Sequence, residues 1–164
     1  MRYRLNSVEQ ALAKFIASQW DGYDKEKGFH KENISKKNSF ENSTAAFGAE
    51  LAFCRMMNVY PGLDLGVWRY WDCVLHNKLK VNVKQTDKEN FGLVVQLKLY
   101  SHYPDVYACM QGEFPVFEYK GWCWDWEMRI QSRINRSLPV AAYFMTFNQL
   151  RKGRIEHEKG SGTP

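Results

Sequence analysis

Apolar and polar positions along the chain follow two different periods. From Ser7 to Trp20, Val8, Ala11, Leu12, Phe15 and Ile16 recur every three to four residues, which predicts an amphipathic helix capped by Ser7. Residues 21–42 are dense in Lys, Glu and Asn and poor in aliphatics, and read as a polar connector. A second helix is predicted over about Thr44–Asn58. Ser43 or Thr44 would cap it, Phe47, Leu51, Cys54 and Met57 form its stripe, and Tyr60-Pro61-Gly62 stops it.

Beyond that point the period shortens to two. Residues 70–75 and 79–84 flank His76-Asn77-Lys78 as a hairpin, with Leu79, Val81 and Val83 on one face and Lys80, Asn82 and Lys84 on the other. Further strands are expected at about 92–100 (Leu93, Val95, Leu97 and Leu99 on one face), 105–111, 114–119 and 138–147, with a short helix at Asn148–Arg151. The pattern over Trp122–Asn135 fits either a strand or a helix. Two helices followed by a strand meander predict an α/β (α+β) chain with one mixed central sheet flanked by helices. We read one domain: a helix and connector over 1–42, a core over 43–151, and a flexible tail over 152–164 that ends in EHEKGSGTP.

Composition narrows the class. The chain has 164 residues, and its 45% hydrophobic and 15% aromatic content can build a core, which excludes intrinsic disorder. No uncharged apolar run approaches the roughly 18 residues of a membrane span. The opening MRYRLNSVEQALAKF lacks the apolar stretch of a secretory signal. Cys54, Cys73, Cys109 and Cys123 are scattered among apolar neighbours with no CxxC, so we expect buried reduced thiols in a cytoplasmic protein. His30, His76, His102 and His157 have no mutual ligand spacing and read as loop residues. Phosphate-loop, dinucleotide and nucleophile-elbow motifs are all missing. The net charge of +5 suits a phosphate-bearing partner without singling out nucleic acid.

The chemistry-bearing residues concentrate between Phe47 and Thr86. A three-residue loop at 76–78 sets Asp72 across from Asn82, with Lys84 two residues along on the same face. Glu50 approaches that group if the second helix packs on the sheet. Hard oxygen ligands beside a lysine are what metal-assisted phosphodiester hydrolysis requires, because they hold Mg²⁺ against the phosphate while the ammonium orients water and offsets developing charge.

Gly48-Ala49-Glu50 on a helix, Asp72 on a strand, and Asn82-Val83-Lys84-Gln85-Thr86 on the next strand, followed by 104–122 with its closing Gly121-Trp122, resemble the PD-(D/E)XK nuclease superfamily. Restriction enzymes, phage exonucleases and junction resolvases belong to it. The resemblance covers about Thr44–Leu150. It implies a restriction-endonuclease-like fold and Mg²⁺- or Mn²⁺-dependent hydrolysis of DNA, with two copies pairing to cut two strands. It also implies Asp72, Asn82, Glu50 and the Val83 carbonyl as metal ligands, and Lys84 as the residue assisting water. Gln85 would position water, or else is a plain loop residue.

One position departs from the pattern. The superfamily carries an acid where this chain has Asn82, and an amide binds Mg²⁺ far less well than a carboxylate. Three explanations stand. Asn82 is an engineered replacement of an acid, or a natural variant with weakened or lost activity, or Asp87 or Glu89 supplies the acid from another position. A catalytically degenerate DNA-binding module of the same fold is the alternative function.

Other residues carry two readings each. Trp122, Trp124 and Trp126 would share a strand face, as core or subunit interface, or would stack bases of single-stranded nucleic acid. Arg129, Arg133 and Arg136 would form a phosphate-binding stripe if they lie on one helix, and otherwise a solvated face. Arg151, Lys152 and Arg154 carry the same pair of readings. Gln96 and Lys98 either line the same cleft as Lys84 or face solvent.

Overall fold

A computed structural model describes residues 1–26, 39–62, 71–97, 103–138 and 141–155. The chain begins with a short strand, β1 (Arg2–Arg4), that feeds helix α1 (Ser7–Glu26). The cap of α1 is Asn6 rather than the expected Ser7. Asn6 Oδ1 accepts the Glu9 N–H at 2.9 Å while Glu9 Oε2 accepts the Asn6 N–H at 2.8 Å, a reciprocal capping box. The predicted stripe is split. Ile16 is buried beside Ala13 and Ala17, while Val8 and Phe15 are 74% and 57% exposed.

Helix α2 spans Ser39–Met57, so neither Ser43 nor Thr44 caps it, and Thr44 is buried within it. With α1 reaching Glu26, the helices take both ends of the stretch expected to be a connector; residues 27–38 lie outside the description. The helix ends where Asn58 turns left-handed (φ 54°) and the Val59 N–H reaches back to the Cys54 carbonyl at 3.0 Å, one residue pair ahead of Tyr60-Pro61-Gly62. Ala45, Gly48, Ala49 and Ala52 form a small-residue face that lets α2 lie close to the sheet.

The remaining strands are β2 (Cys73–Val74), β3 (Lys80–Thr86), β4 (Gly92–Gln96), β5 (Val106–Glu113), β6 (Val116–Trp124), β7 (Ile134–Asn135) and β8 (Ala142–Thr146). They form two sheets, where one was expected. The larger runs β1-β6-β5-β3-β2, with β3 and β5 parallel and the other pairs antiparallel. The smaller runs β4-β8-β7. The strand predicted at 92–100 is therefore not the next strand of a meander. Leu93 and Val95 alternate inward as predicted, but onto a second core with Tyr107, Cys109, Cys123 and Met145, and β4 pairs with β8. Periodicity specifies that a strand has one buried face, not which layer that face meets.

The larger sheet is thus covered on both sides. Val81, Val83, Val106, Ala108, Met110 and Phe117 meet the helices, while Tyr107 and Cys109 meet the second sheet. Five consecutive residues of β5, Val106–Met110, are buried for this reason, as in any strand covered on both faces. The ambiguous stretch resolves into the end of β6, a single helical turn α3 (Asp125–Met128) and a 3₁₀ turn at Gln131–Arg133. Instead of the short helix at 148–151, a 3₁₀ turn covers Phe147–Gln149. Trp122 exchanges backbone hydrogen bonds with Arg151, and Ile155 is buried in the main core, so the ordered chain runs past the expected tail boundary at 152. Likewise Leu5 is buried in the main core, which makes the N-terminal segment integral to it. Residues 156–164 lie outside the description. Among the described residues no helix is long and apolar enough to cross a membrane.

Candidate functional site

The edge of the larger sheet beside β2 is where Glu50, Asp72 and Lys84 come together. The hairpin pairs Cys73 with Val81 and Val74 with Lys80, the register the three-residue loop predicted, and Asp72 stands one residue beyond the last paired position of β2. The chain bends away from β3 at that level. The Asp72 N–H donates to the Val81 carbonyl at 2.7 Å, and the Asp72 side chain takes over where a β2 backbone partner would have been. The Val83 N–H donates to Asp72 Oδ2 at 2.6 Å. N–H and C=O of one strand residue project to the same neighbour, so the Val83 carbonyl also faces this edge. Lys80 confirms the parity, since both its backbone groups bond Asp105 on the opposite side of β3.

Glu50 enters from α2, one helical turn before Cys54. Burial, and next the Asp72 charge, push Glu50 well above the usual carboxylate range, while Lys84 pulls it back. Asp72 is raised as well, by burial, with Lys84 and the Val83 N–H opposing. Two carboxylates are therefore held close enough to repel, with the Lys84 ammonium in electrostatic reach of both. Asn82 and Lys84 alternate to the face of β3 opposite Val83, and the register sets Asn82 beside Tyr107 and Lys84 beside Cys109. Both are partly buried. The Cys54 thiol, pushed up mainly by its hydrogen bond with Cys73 and then by burial, also senses the charges of Glu50 and Asp72; sequence reasoning saw only four scattered cysteines. All four are buried and free of disulfides, as expected.

Several predicted residues lie elsewhere. Gln85 faces the other side of β3 from Lys84, and its amide donates to the Gly112 carbonyl at 2.7 Å, so it ties β3 to β5 instead of joining the acids. Asp87 and Glu89 are exposed past the end of β3. At about 3.3 Å per residue Asp87 lies some 16 Å along the strand from Asn82, far outside a metal shell of ~2.0–2.6 Å. Gln96 is exposed on β4, and Lys98 lies outside the described residues, as do Leu99, His30, His102 and His157. His76 is exposed in the hairpin loop, in contact with the Asn58 carbonyl.

The arginine stripe does not form, because α3 ends at Met128. Arg129 is held by Asp125 (2.6 Å) and the Tyr107 hydroxyl (2.8 Å), with its guanidinium 3.8 Å from the centre of the Tyr103 ring. Arg133 donates from Nε to the Glu127 carbonyl, and Arg136 is exposed beyond β7. Arg151 pairs with Glu127 at 2.7 Å. Trp122 and Trp124 share a strand face in edge contact (5.2 Å), which matches the core reading, while Trp126 sits in α3 and is 64% exposed.

Among the described residues no three His, Cys, Asp or Glu side chains gather into a metal-binding group. The oxygens that fit a hard cation are two carboxylates (Glu50 and Asp72), the Asn82 amide and the Val83 carbonyl, a donor set that Mg²⁺ completes with water. No family model, curated relative or solved structure matches this chain.

Proposed function

We propose that the chain is a metal-dependent nuclease of the PD-(D/E)XK type, hydrolysing DNA phosphodiester bonds, with activity weakened by the amide at Asn82. The observation that carries this reading is the convergence of Glu50, Asp72 and Lys84 on one sheet edge, toward which the Val83 carbonyl also points. A charge-repelled, partly desolvated acid pair is unfavourable in a protein without a counter-ion, and a divalent cation relieves it. Asp72, Glu50, the Asn82 amide oxygen and the Val83 carbonyl would hold Mg²⁺ or Mn²⁺, which when bound polarises the phosphate. Lys84 orients or deprotonates the attacking water and offsets charge on the phosphate oxygens. Pairing of two copies belongs to this reading, and the exposed apolar Val8 and Phe15 on α1 support it. A cytoplasmic setting accords with four free thiols.

The test compares the protein as given with Asn82→Asp on supercoiled and branched DNA in Mg²⁺ or Mn²⁺. Asn82→Asp should cut at least ~100-fold faster, a barrier difference of about 2.7 kcal/mol, and adding Lys84→Ala should abolish the gain. If neither form cuts DNA or RNA, the reading is wrong. The neutral amide favours a second reading, the degenerate DNA-binding module. Salt-steep binding without cutting by either form would establish it.

A further inference from the structure

We propose that a cleft of about 520 Å³ in the smaller-sheet region, built from different residues than the acid edge, binds a nucleotide by its phosphate and its base. Its size lies within the roughly 300–1,000 Å³ of small-molecule sites. Its wall includes Ser132, Arg133, Asn135, Arg136, Phe144 and Gln149, and no carboxylate is among the described residues that line it.

The polarity of this wall is one-sided, for a reason visible in the hydrogen bonds. Asn135 Oδ1 accepts from the Ser137 N–H at 2.9 Å and from its hydroxyl at 2.6 Å. Gln149 Oε1 accepts from the Thr146 N–H at 2.9 Å and from its hydroxyl at 3.3 Å. A backbone N–H can only donate, so both amides are fixed with their oxygens inward to the turn. What remains of each is the NH₂ group, a double donor. Arg133 uses Nε on the Glu127 carbonyl and keeps its terminal nitrogens, and Arg136 is exposed. The cleft thus offers two guanidinium groups and two amide donors, a set that selects an anion rich in acceptor oxygens. Phe144 adds an aromatic wall. It is held in edge contact with Phe91 at 5.3 Å, and Lys88 lies over the Phe91 ring at 4.8 Å. A donor-rich surface beside a partly buried ring matches a phosphate with a stacked base. A free mononucleotide and an unpaired nucleotide of a strand share that chemistry. The inference rests on the proposed function only in taking DNA as the source, and it requires neither metal nor cleavage.

Anisotropy of labelled oligo-dT, measured in EDTA with a duplex of equal length and dTMP as competitors, tests the cleft. Gln149→Glu keeps the Thr146 cap and exchanges the donors for a carboxylate oxygen. It should weaken oligo-dT binding roughly tenfold with an unchanged Tm. Arg136→Ala should lower the salt slope by about one phosphate. Phe144→Leu should weaken binding roughly tenfold without altering that slope. If Phe144→Leu does not fold, the two surface variants carry the test. Strong competition by dTMP identifies a free nucleotide, and tighter binding of the strand with weak dTMP competition identifies an unpaired nucleotide. Affinities unchanged in all three variants, or duplex bound as tightly as single strand with no effect of Phe144→Leu, would overturn the cleft. Because no metal is present, that failure is distinguishable from failure of Asn82→Asp to cut.

Discussion

Glu50→Gln makes the acid edge measurable without any substrate. Burial and then Asp72 hold the Glu50 carboxyl well above its ordinary value of 4.5 in the folded state. The folded protein therefore binds more protons than the unfolded chain over the interval between the two values, and stability falls as pH rises through it. Below the unfolded value Glu50 is neutral in both states and costs nothing. Gln has nearly the same shape and no charge, so the substitution should be neutral near pH 4 and stabilising near pH 8. Part of the residue remains solvated, and Lys84 returns some attraction, which keeps the effect near the lower end of buried-charge costs. We expect about 1–2 kcal/mol. At this chain length each kcal/mol moves Tm by about 2–4 °C, so the expected gain is about 2–8 °C at pH 8. Thermal or urea melts of both proteins across that pH range, in EDTA, provide the assay. A destabilisation of equal size at both pH values would mean that Glu50 makes a structural hydrogen bond and senses no second acid. That result would refute the reasoning.

Two further substitutions test how α2 is seated. A Cβ on Gly48 would lie 2.9 Å from Phe114 Cδ2 and 3.1 Å from Phe117 Cε2, so Gly48→Val should lower stability by about 2 kcal/mol despite the gain in helix propensity, read as a lower urea midpoint at unchanged m. Thr44→Val removes a buried hydroxyl that has no hydrogen-bond partner among the described residues and should raise Tm by about 2–4 °C, for a gain of about 1 kcal/mol. A fall in Tm would show that the hydroxyl is satisfied.

The hairpin at 72–84 was legible because every signal it needs is local. The loop length sets the register, and the alternation Leu79–Val81–Val83 sets the face. The same holds for the buried thiols, whereas Trp122 and Trp124 share a face only because 122–124 is strand, which the pattern left open against a helix. What could not be read required information from distant chain. Leu93 and Val95 show a buried face but not that β8 is their neighbour. Val8 and Phe15 have the spacing of core residues, yet α1 meets only one layer and turns them outward. The Asn6–Glu9 capping box was visible as N-S-V-E and passed over because Ser7 is also a good cap. The Thr146–Gln149 pair is a T-x-x-Q box of the same kind, and it orients one wall of the cleft. At the acid edge the sequence grouped Glu50, Asp72 and Lys84, and the structure holds them within electrostatic reach of one another. The sequence could not show that Gln85 is engaged by Gly112, because strand parity alone does not name the partner.

Asn82 can be understood from charge alone. Glu50 and Asp72 already place two acids where, among the described residues, Lys84 is the side chain shown opposing them and the Val83 N–H helps at Asp72 alone, in a partly desolvated edge. A third carboxylate opposite Asp72 would add a repulsion that no other side chain shown acting on these acids offsets, so an acid at this position is tolerable chiefly when a cation is bound. The amide occupies nearly the same volume, retains an oxygen that can face a cation, and adds no charge. On the proposed reading it would let the edge keep its geometry without a metal while weakening its hold on a divalent ion. Under the proposed function, fold and catalytic strength would be separable at this one position, since the hydrogen bond that aligns Asp72 with Val83 runs from the Val83 N–H to the Asp72 carboxylate and does not use the side chain of Asn82.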